Sequence, residues 1–235
     1  VANSVEQLAN QQVLRWLQEL KRSDERSTMG DSAPGSKLQP SQHPMITISR
    51  QYGAYGGEMG RIVARELNID FHAQELVHAV AARADVRRQL VEALDERSQN
   101  KILLWIDQLV QLRRFAATDY MRALSETVLA IARHRSGVLV GRGGHLILDP
   151  TRTLRVRVFA ALERRVEYVA QREGMSSVEA RVKIARIDEE RRDFFRTRFD
   201  VDISDPLGYD LLINTGTFSL ESGAQLVAEA YRQRF

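Results

Sequence analysis

The sequence has no cysteine, which excludes disulfides, thiolate nucleophiles and cysteine-ligated metal sites. It has no apolar run near the about 18 residues needed to span a bilayer, and the first twenty residues carry Glu6 and Glu19 without an uninterrupted apolar stretch. The expectation is therefore a cytoplasmic protein with no membrane contact. Proline is scarce, five in 235 residues, and Pro34, Pro40 and Pro44 fall close together. Lysine is scarcer: only four of the 34 basic residues are lysine, and the rest are arginine. Arginine's planar fork grips phosphate through two parallel hydrogen bonds, although compositional bias would give the same count, so position must decide which arginines matter. Net charge is only +3 despite a pI near 9.4, and acidic residues are interleaved with the arginines almost throughout. That pattern argues against a nucleic-acid interface, which concentrates charge in a patch or stripe.

Apolar residues at 43% and aromatics at 7% are ordinary for a globular chain, and the length suits one α/β domain with an appendage. Residues 1–22 read as that appendage: Val5, Leu8, Val13, Trp16, Leu17 and Leu20 recur at helical spacing with polar residues between them. Such a stripe cannot bury itself alone, so it must pack on the main domain or on a second copy, giving a homo-oligomer through this helix. Residues 23–44, rich in Ser, Gln and Pro, read as a flexible linker, and residues 45–235 as the main domain.

The main domain opens with a buried-strand signal, Met45-Ile46-Thr47-Ile48, then a glycine-rich turn, then helical spacing through Ile62, Val63, Leu67 and Ile69 up to Phe71. Residues 74–134 are helical in pattern. Strands are expected at 138–140, 154–159 and 210–214, the middle one alternating Leu, Val and Val with Arg155 and Arg157. Helices are expected over 161–173 and 177–197, the second opened by the capping box Ser176-Ser177-Val178-Glu179, and a last one after Ser219. Strands separated by helices predict a three-layer α/β fold with a mostly parallel sheet covered on both faces.

A glycine-rich turn between strand and helix aims several backbone N–H groups at one point and can hold phosphate. Ser49, Arg50, Gly53, Gly56, Gly57, Glu58, Met59 and Gly60 are the candidate nucleotide-binding residues; a plain tight turn is the competing reading. Beyond this turn, an ordered set of motifs resembles the cytidylate kinase-like family of the nucleoside monophosphate kinase group. The set comprises Ile48-Ser49-Arg50-Gln51-Tyr52-Gly53, Gly56-Gly57-Glu58-Met59-Gly60-Arg61, Phe71 with Glu75-Leu76-Val77, and Val138-Leu139-Val140-Gly141-Arg142-Gly143. It continues with Glu163-Arg164-Arg165-Val166, Asp188 and Arg191 with Phe194-Phe195, Asp205-Pro206, and Tyr209-Asp210-Leu211 with Ile213-Asn214-Thr215. The resemblance spans about residues 45–232.

The resemblance implies a P-loop NTPase-type fold with a helical lid, and ATP-dependent transfer of a phosphoryl group to a nucleoside monophosphate of the CMP or dCMP type, or to a similar small acceptor, with Mg2+. By the same likeness Arg142 would hold the acceptor phosphate and Arg191, with Arg196 as a further candidate, would neutralise the transferring group. Each has an ordinary alternative: Arg142 as a strand-end cap, and Arg191, Arg192, Arg196 and Arg198 as a solvated helix face paired with Asp188, Glu189, Glu190 and Asp193. The family's usual P-loop lysine and Ser/Thr are replaced by Glu58 and Met59, its strand-end aspartate by Val140 and its base-reading aspartate by Gly143, so no metal ligand is identifiable. Ala73-Gln74 replaces the Asp-Arg or Asp-Lys pair common after the first helix. These departures support an alternative function, a nucleotide-binding regulatory or interaction protein that no longer catalyses.

Overall fold

The computed structural model describes residues 42–112 and 117–235. The helix expected within residues 1–22, and the linker as far as residue 41, lie outside the described residues. Five strands, β1 (Met45–Arg50), β2 (Asp70–His72), β3 (Gly137–Val140), β4 (Thr153–Phe159) and β5 (Leu211–Asn214), form one all-parallel sheet in the order β2-β3-β1-β4-β5. The first strand takes the centre and feeds both layers, Met45 into one core cluster and Ile46 and Ile48 into the other, with Ile48 beside Val140 on one side and Val156 on the other.

Helix α1 (Gly56–Leu67) covers one face together with the last helix, and between them they bury Ile46, Ile48, Val63, Val156 and Val227. The other face is covered by the four helices between β2 and β3: α2 (Gln74–Ala82), α3 (Ala84–Glu92), α4 (Glu96–Gln111) and α5 (Asp119–His134). A single turn, α6 (Gly144–Ile147), completes that layer, and the core beneath includes Met45, Ile106, Leu124, Leu139 and Ile147. Trp105 belongs to this core, its indole N–H donating to the Ile147 carbonyl at 3.0 Å. Helices α7 (Leu162–Glu173) and α8 (Ser177–Phe199) pair around a small cluster of Val166, Val169, Ala180 and Ile184 and supply the helical lid of the expected fold. Only the far end of α8 enters the main core, through Phe195 and Phe199. The last helix, α9, spans Leu220–Arg234.

Local chemistry sets the helix starts. Ser176 and Glu179 close the capping box of α8 in both directions, and the side chains of Asp95, Thr118 and Ser219 accept the capping hydrogen bonds of α4, α5 and α9. One boundary differs from expectation. The first helix stops at Leu67, not Phe71, because Asn68 adopts the left-handed conformation (φ 52°) and its N–H reaches back to the Ala64 and Arg65 carbonyls. The chain then forms the edge strand β2, too short to show a period of its own. Chain entry into β1 is fixed by Gln42, whose side chain bonds Asp149 N–H (3.1 Å) and Thr153 Oγ1 (3.1 Å).

Candidate functional site

The chain leaves β1 toward β2 and leaves the neighbouring β3 toward β4, so connections from adjacent strands run in opposite directions and a crevice opens at their carboxyl ends. A cleft of about 290 Å³ lies there. Thr47 and Ser49 of β1, Phe194 and Phe195 of α8, and Arg50, Arg142 and Arg191 line it.

The arginines are placed by backbone geometry. Arg50 ends β1; its Nη2 donates to Gln74 Oε1 at 2.9 Å, and its guanidinium presses on Gly141, where a Cβ would come within 2.3 Å of Nη1. Gly141 also holds φ +82°, so glycine is required there on two counts. Arg142 follows at φ 55°, a left-handed conformation costing a non-glycine residue about 1 kcal/mol. Its Nε is buried without a hydrogen-bond partner, and its guanidinium lies 5.9 Å from the Phe194 ring centre. Arg191 reaches across from α8 to donate to the Arg50 carbonyl at 3.1 Å. Asp188, 3.9 Å from Arg191, is the nearest carboxylate to any of the three among the described residues. Burial, then the Arg191 charge, lowers Arg50 to about 9, opposed by Glu75; it stays charged at neutral pH. Burial also lowers Arg191, opposed first by Asp188. Three cations line the cleft against one carboxylate, Glu190, which pairs with Arg186 at 2.8 Å, a positive balance that favours an anionic ligand.

Two networks support these residues. Behind them, the nearly buried Arg157 donates to Ser49 Oγ (3.1 Å), and Tyr209 bridges Ser49 Oγ and the Ile203 carbonyl. Beside them, Asp188 accepts from the Tyr52 N–H at 2.8 Å and from Arg165, which also donates to the Tyr52 and Ala160 carbonyls. The glycine-rich turn, α7 and α8 are thereby tied at one carboxylate.

Of the candidate residues, Ser49, Arg50, Arg142 and Arg191 line the cleft and the others do not. Gly53 (φ +79°) allows the turn to approach the Arg165 carbonyl on α7. Gly56 lies against the Arg50 side chain, whereas a Cβ on Gly57 would meet no atom within 4 Å. The first turn of α1 has no side-chain cap, since Tyr55 at its start is left-handed at φ 60°. Glu58 accepts from Tyr168 OH at 2.9 Å and lies 3.7 Å from Arg172. Met59 is fully buried in the core, and Gly60 allows α1 to close on Phe71 and Val140. Arg196 points to solvent, 72% exposed and paired with Asp193. Asp188 lies within reach of Arg191, but its shorter bonds go to Tyr52 and Arg165. His72 is core, and Tyr120 OH meets His78 at 3.4 Å.

These residues do not fit a protein-held magnesium ion. A buried thioether stands at the expected hydroxyl, Val140 at the expected carboxylate, and among the described residues no three His, Asp or Glu side chains are grouped to hold a metal. Cleft residues that sequence reasoning did not place at the site include Thr47, Gln74, His145 and Glu190. Arg157, which holds Ser49 from behind, was visible in sequence as one of the charged residues alternating along β4.

A cytidylate kinase of Pyrococcus horikoshii is 38% identical to this chain over 110 residues, covering 46% of this chain and 56% of that protein. A protein of Corynebacterium glutamicum named uronate isomerase is 34% identical over 100 residues, covering 42% of this chain but 19% of its own length. The chain thus spans about half or less of the length of these curated relatives. In structure it is similar to an uncharacterized protein from Eubacterium ventriosum, with a TM-score of 0.57 at 16% identity over 81% of this chain and 99% of that one, a likeness of fold. The family model described as the cytidylate kinase-like family matches residues 45–217, the whole sheet and its cleft included, and the chain belongs to that family.

Proposed function

We propose that the protein transfers the γ-phosphoryl group of ATP to a nucleoside monophosphate of the CMP or dCMP type, or to a similar small phosphorylated acceptor, bound in the arginine cleft. The observation that carries this reading is the convergence of Arg50, Arg142 and Arg191 on one cleft, with no carboxylate among the described residues closer to any of them than Asp188, 3.9 Å from Arg191. An acceptor phosphate supplies the missing negative charge. Its oxygen forms a bond to the γ-phosphorus as the bond to the bridging oxygen breaks, and the guanidiniums offset the charge on the transferring group. The uncapped first turn of α1 offers backbone N–H groups to the donor's phosphates. Magnesium would arrive bound to ATP, screening its phosphates, and no cleft residue is assigned to it.

A second reading, nucleotide binding without transfer, is favoured by one observation. Glu58 is occupied by Tyr168 and Arg172, and Met59 is buried, so neither supplies the positive charge or hydroxyl of the usual P-loop. The protein with ATP and Mg2+ against a panel of nucleoside monophosphates, scored by ADP release, separates the two. Turnover that falls about 100-fold in Arg142→Ala supports transfer. No ADP from any acceptor, with ATP binding still measurable by calorimetry, refutes transfer and leaves the second reading.

A further inference from the structure

We propose that Gln74 is a positioning residue of the arginine cleft: its amide aims the Arg50 guanidinium and leaves that charge free, so that the cleft holds a doubly charged phosphate ester in preference to a singly charged one. The inference rests on the reading of the cleft as a phosphate-ester site. Gln74 lines the cleft as the first residue of α2, and its Oε1 accepts from Arg50 Nη2 at 2.9 Å. A guanidinium has only donors, so the amide must turn its oxygen toward it.

The other contacts of this guanidinium carry no charge either. Gly56 meets the stem of Arg50, where an added Cβ would fall 2.6 Å from Arg50 Cβ, and Gly141 meets Nη1. A Cβ on Gly141 would also fall 3.0 Å from Gln74 Oε1, so amide and guanidinium pack on the same stretch of backbone. Segments following β1, β2 and β3 therefore fix one guanidinium by contact and one neutral hydrogen bond. Glu75, the next residue, is exposed and favours the Arg50 charge through space. Glu190, the one carboxylate lining the cleft among the described residues, is paired with Arg186.

Local chemistry favours a different residue at position 74. It opens a helix, where the backbone N–H groups attract negative charge, and it touches a partly buried cation. Glutamate has the length of glutamine and would be stabilised on both counts. The amide gives up that stability and preserves the positive balance of the cleft. Stability given up at a binding site is the expected trade where the ligand supplies the missing charge.

Calorimetry at pH 7.5 with CMP and with its phosphate methyl ester tests this, because the two share base and sugar but carry about two negative charges and about one. The intact chain should bind CMP about tenfold more tightly or better. Coulomb energy scales with ligand charge, so Gln74→Glu should weaken the ester about fivefold and CMP about 25-fold, while raising the melting midpoint by about 2–4 °C. Gln74→Met, neutral and without an acceptor, should weaken both ligands by a similar factor, about threefold, and keep the ratio. A merely structural glutamine would not separate two ligands by their charge. A ratio unmoved in Gln74→Glu, a midpoint that falls in it, unchanged affinities in Gln74→Met, or no preference for CMP in the intact chain overturns the role of Gln74 while leaving the phosphate site standing. Binding of neither ligand by the intact chain overturns both.

Discussion

Replacing Asp188 by Ala should unfasten the glycine-rich turn from the helices beside it, and the size of the effect follows from the contacts. The Asp188 and Arg165 side chains are only 12% and 9% exposed. Removing one partner of a buried pair costs about 3–5 kcal/mol, chiefly because the other charge is left uncompensated. Arg165 retains the Ala160 and Tyr52 carbonyls at 3.1 and 3.2 Å, which offsets part of the loss, but the Tyr52 N–H loses its acceptor. The lower end, about 3 kcal/mol, is therefore expected. For a chain of this size that lowers the thermal midpoint by about 6–12 °C, measured by circular dichroism at pH 7. Asp188→Asn keeps an acceptor for Tyr52 and should fall between the two. A drop of less than about 2 °C in Asp188→Ala would refute the reasoning, showing that the carboxylate is not what ties the turn to α7 and α8.

Gly141→Ala should cost about 2 kcal/mol or more, since it adds a Cβ 2.3 Å from Arg50 Nη1 at φ +82°, and it should also displace Arg50 and weaken phosphate binding. Gly57→Ala, with open space around the new Cβ inside α1, should instead leave urea stability unchanged or raise it by about 0.5–1 kcal/mol. His72 and His145 are both lowered to about 3, primarily by burial, from an ordinary 6.5. Their contribution is therefore complete above pH 6.5 and is lost as pH falls toward 3, because the unfolded chain takes up protons that the folded chain refuses. Together they should reduce unfolding free energy by about 2 kcal/mol between pH 6.5 and 5.5, and His145→Leu should halve that slope. A flat profile in that window would show both rings protonating in the folded state.

Most of the architecture was legible because strong local signals agreed with tertiary demands. The apolar run of β1, the capping box at Ser176 and the cap at Ser219 each state an element boundary in a few residues, and the structure uses them as written. The edge strand β2 was not legible, because three residues establish no period and Ile69 and Phe71 suit a helix or a strand equally well. Asn68, a residue tolerant of the left-handed conformation, was the available stop signal. In the cleft, Arg142 and Arg191 were found by likeness to a family, whereas Thr47 and His145 carry no motif. Their place in the cleft depends on distant chain segments coming together, which leaves no local trace in sequence. Arg196 shows the opposite limit, since it stands only five residues from Arg191 on the same helix yet faces water beside Asp193.

Gly143 carries a consequence for how this cleft can change over generations. Its φ is +69°, and a Cβ added there would fall 2.4 Å from Cζ of Phe199, a fully packed core ring. An aspartate at this position, the residue to be expected by likeness to cytidylate kinases, would therefore collide with the Phe199 ring as it is packed. It becomes accessible only after position 199 has been trimmed, and trimming a buried phenylalanine costs about 3–5 kcal/mol before any benefit is gained. Positions 143 and 199 are thus coupled through one contact, so a side chain at the first requires a smaller one at the second.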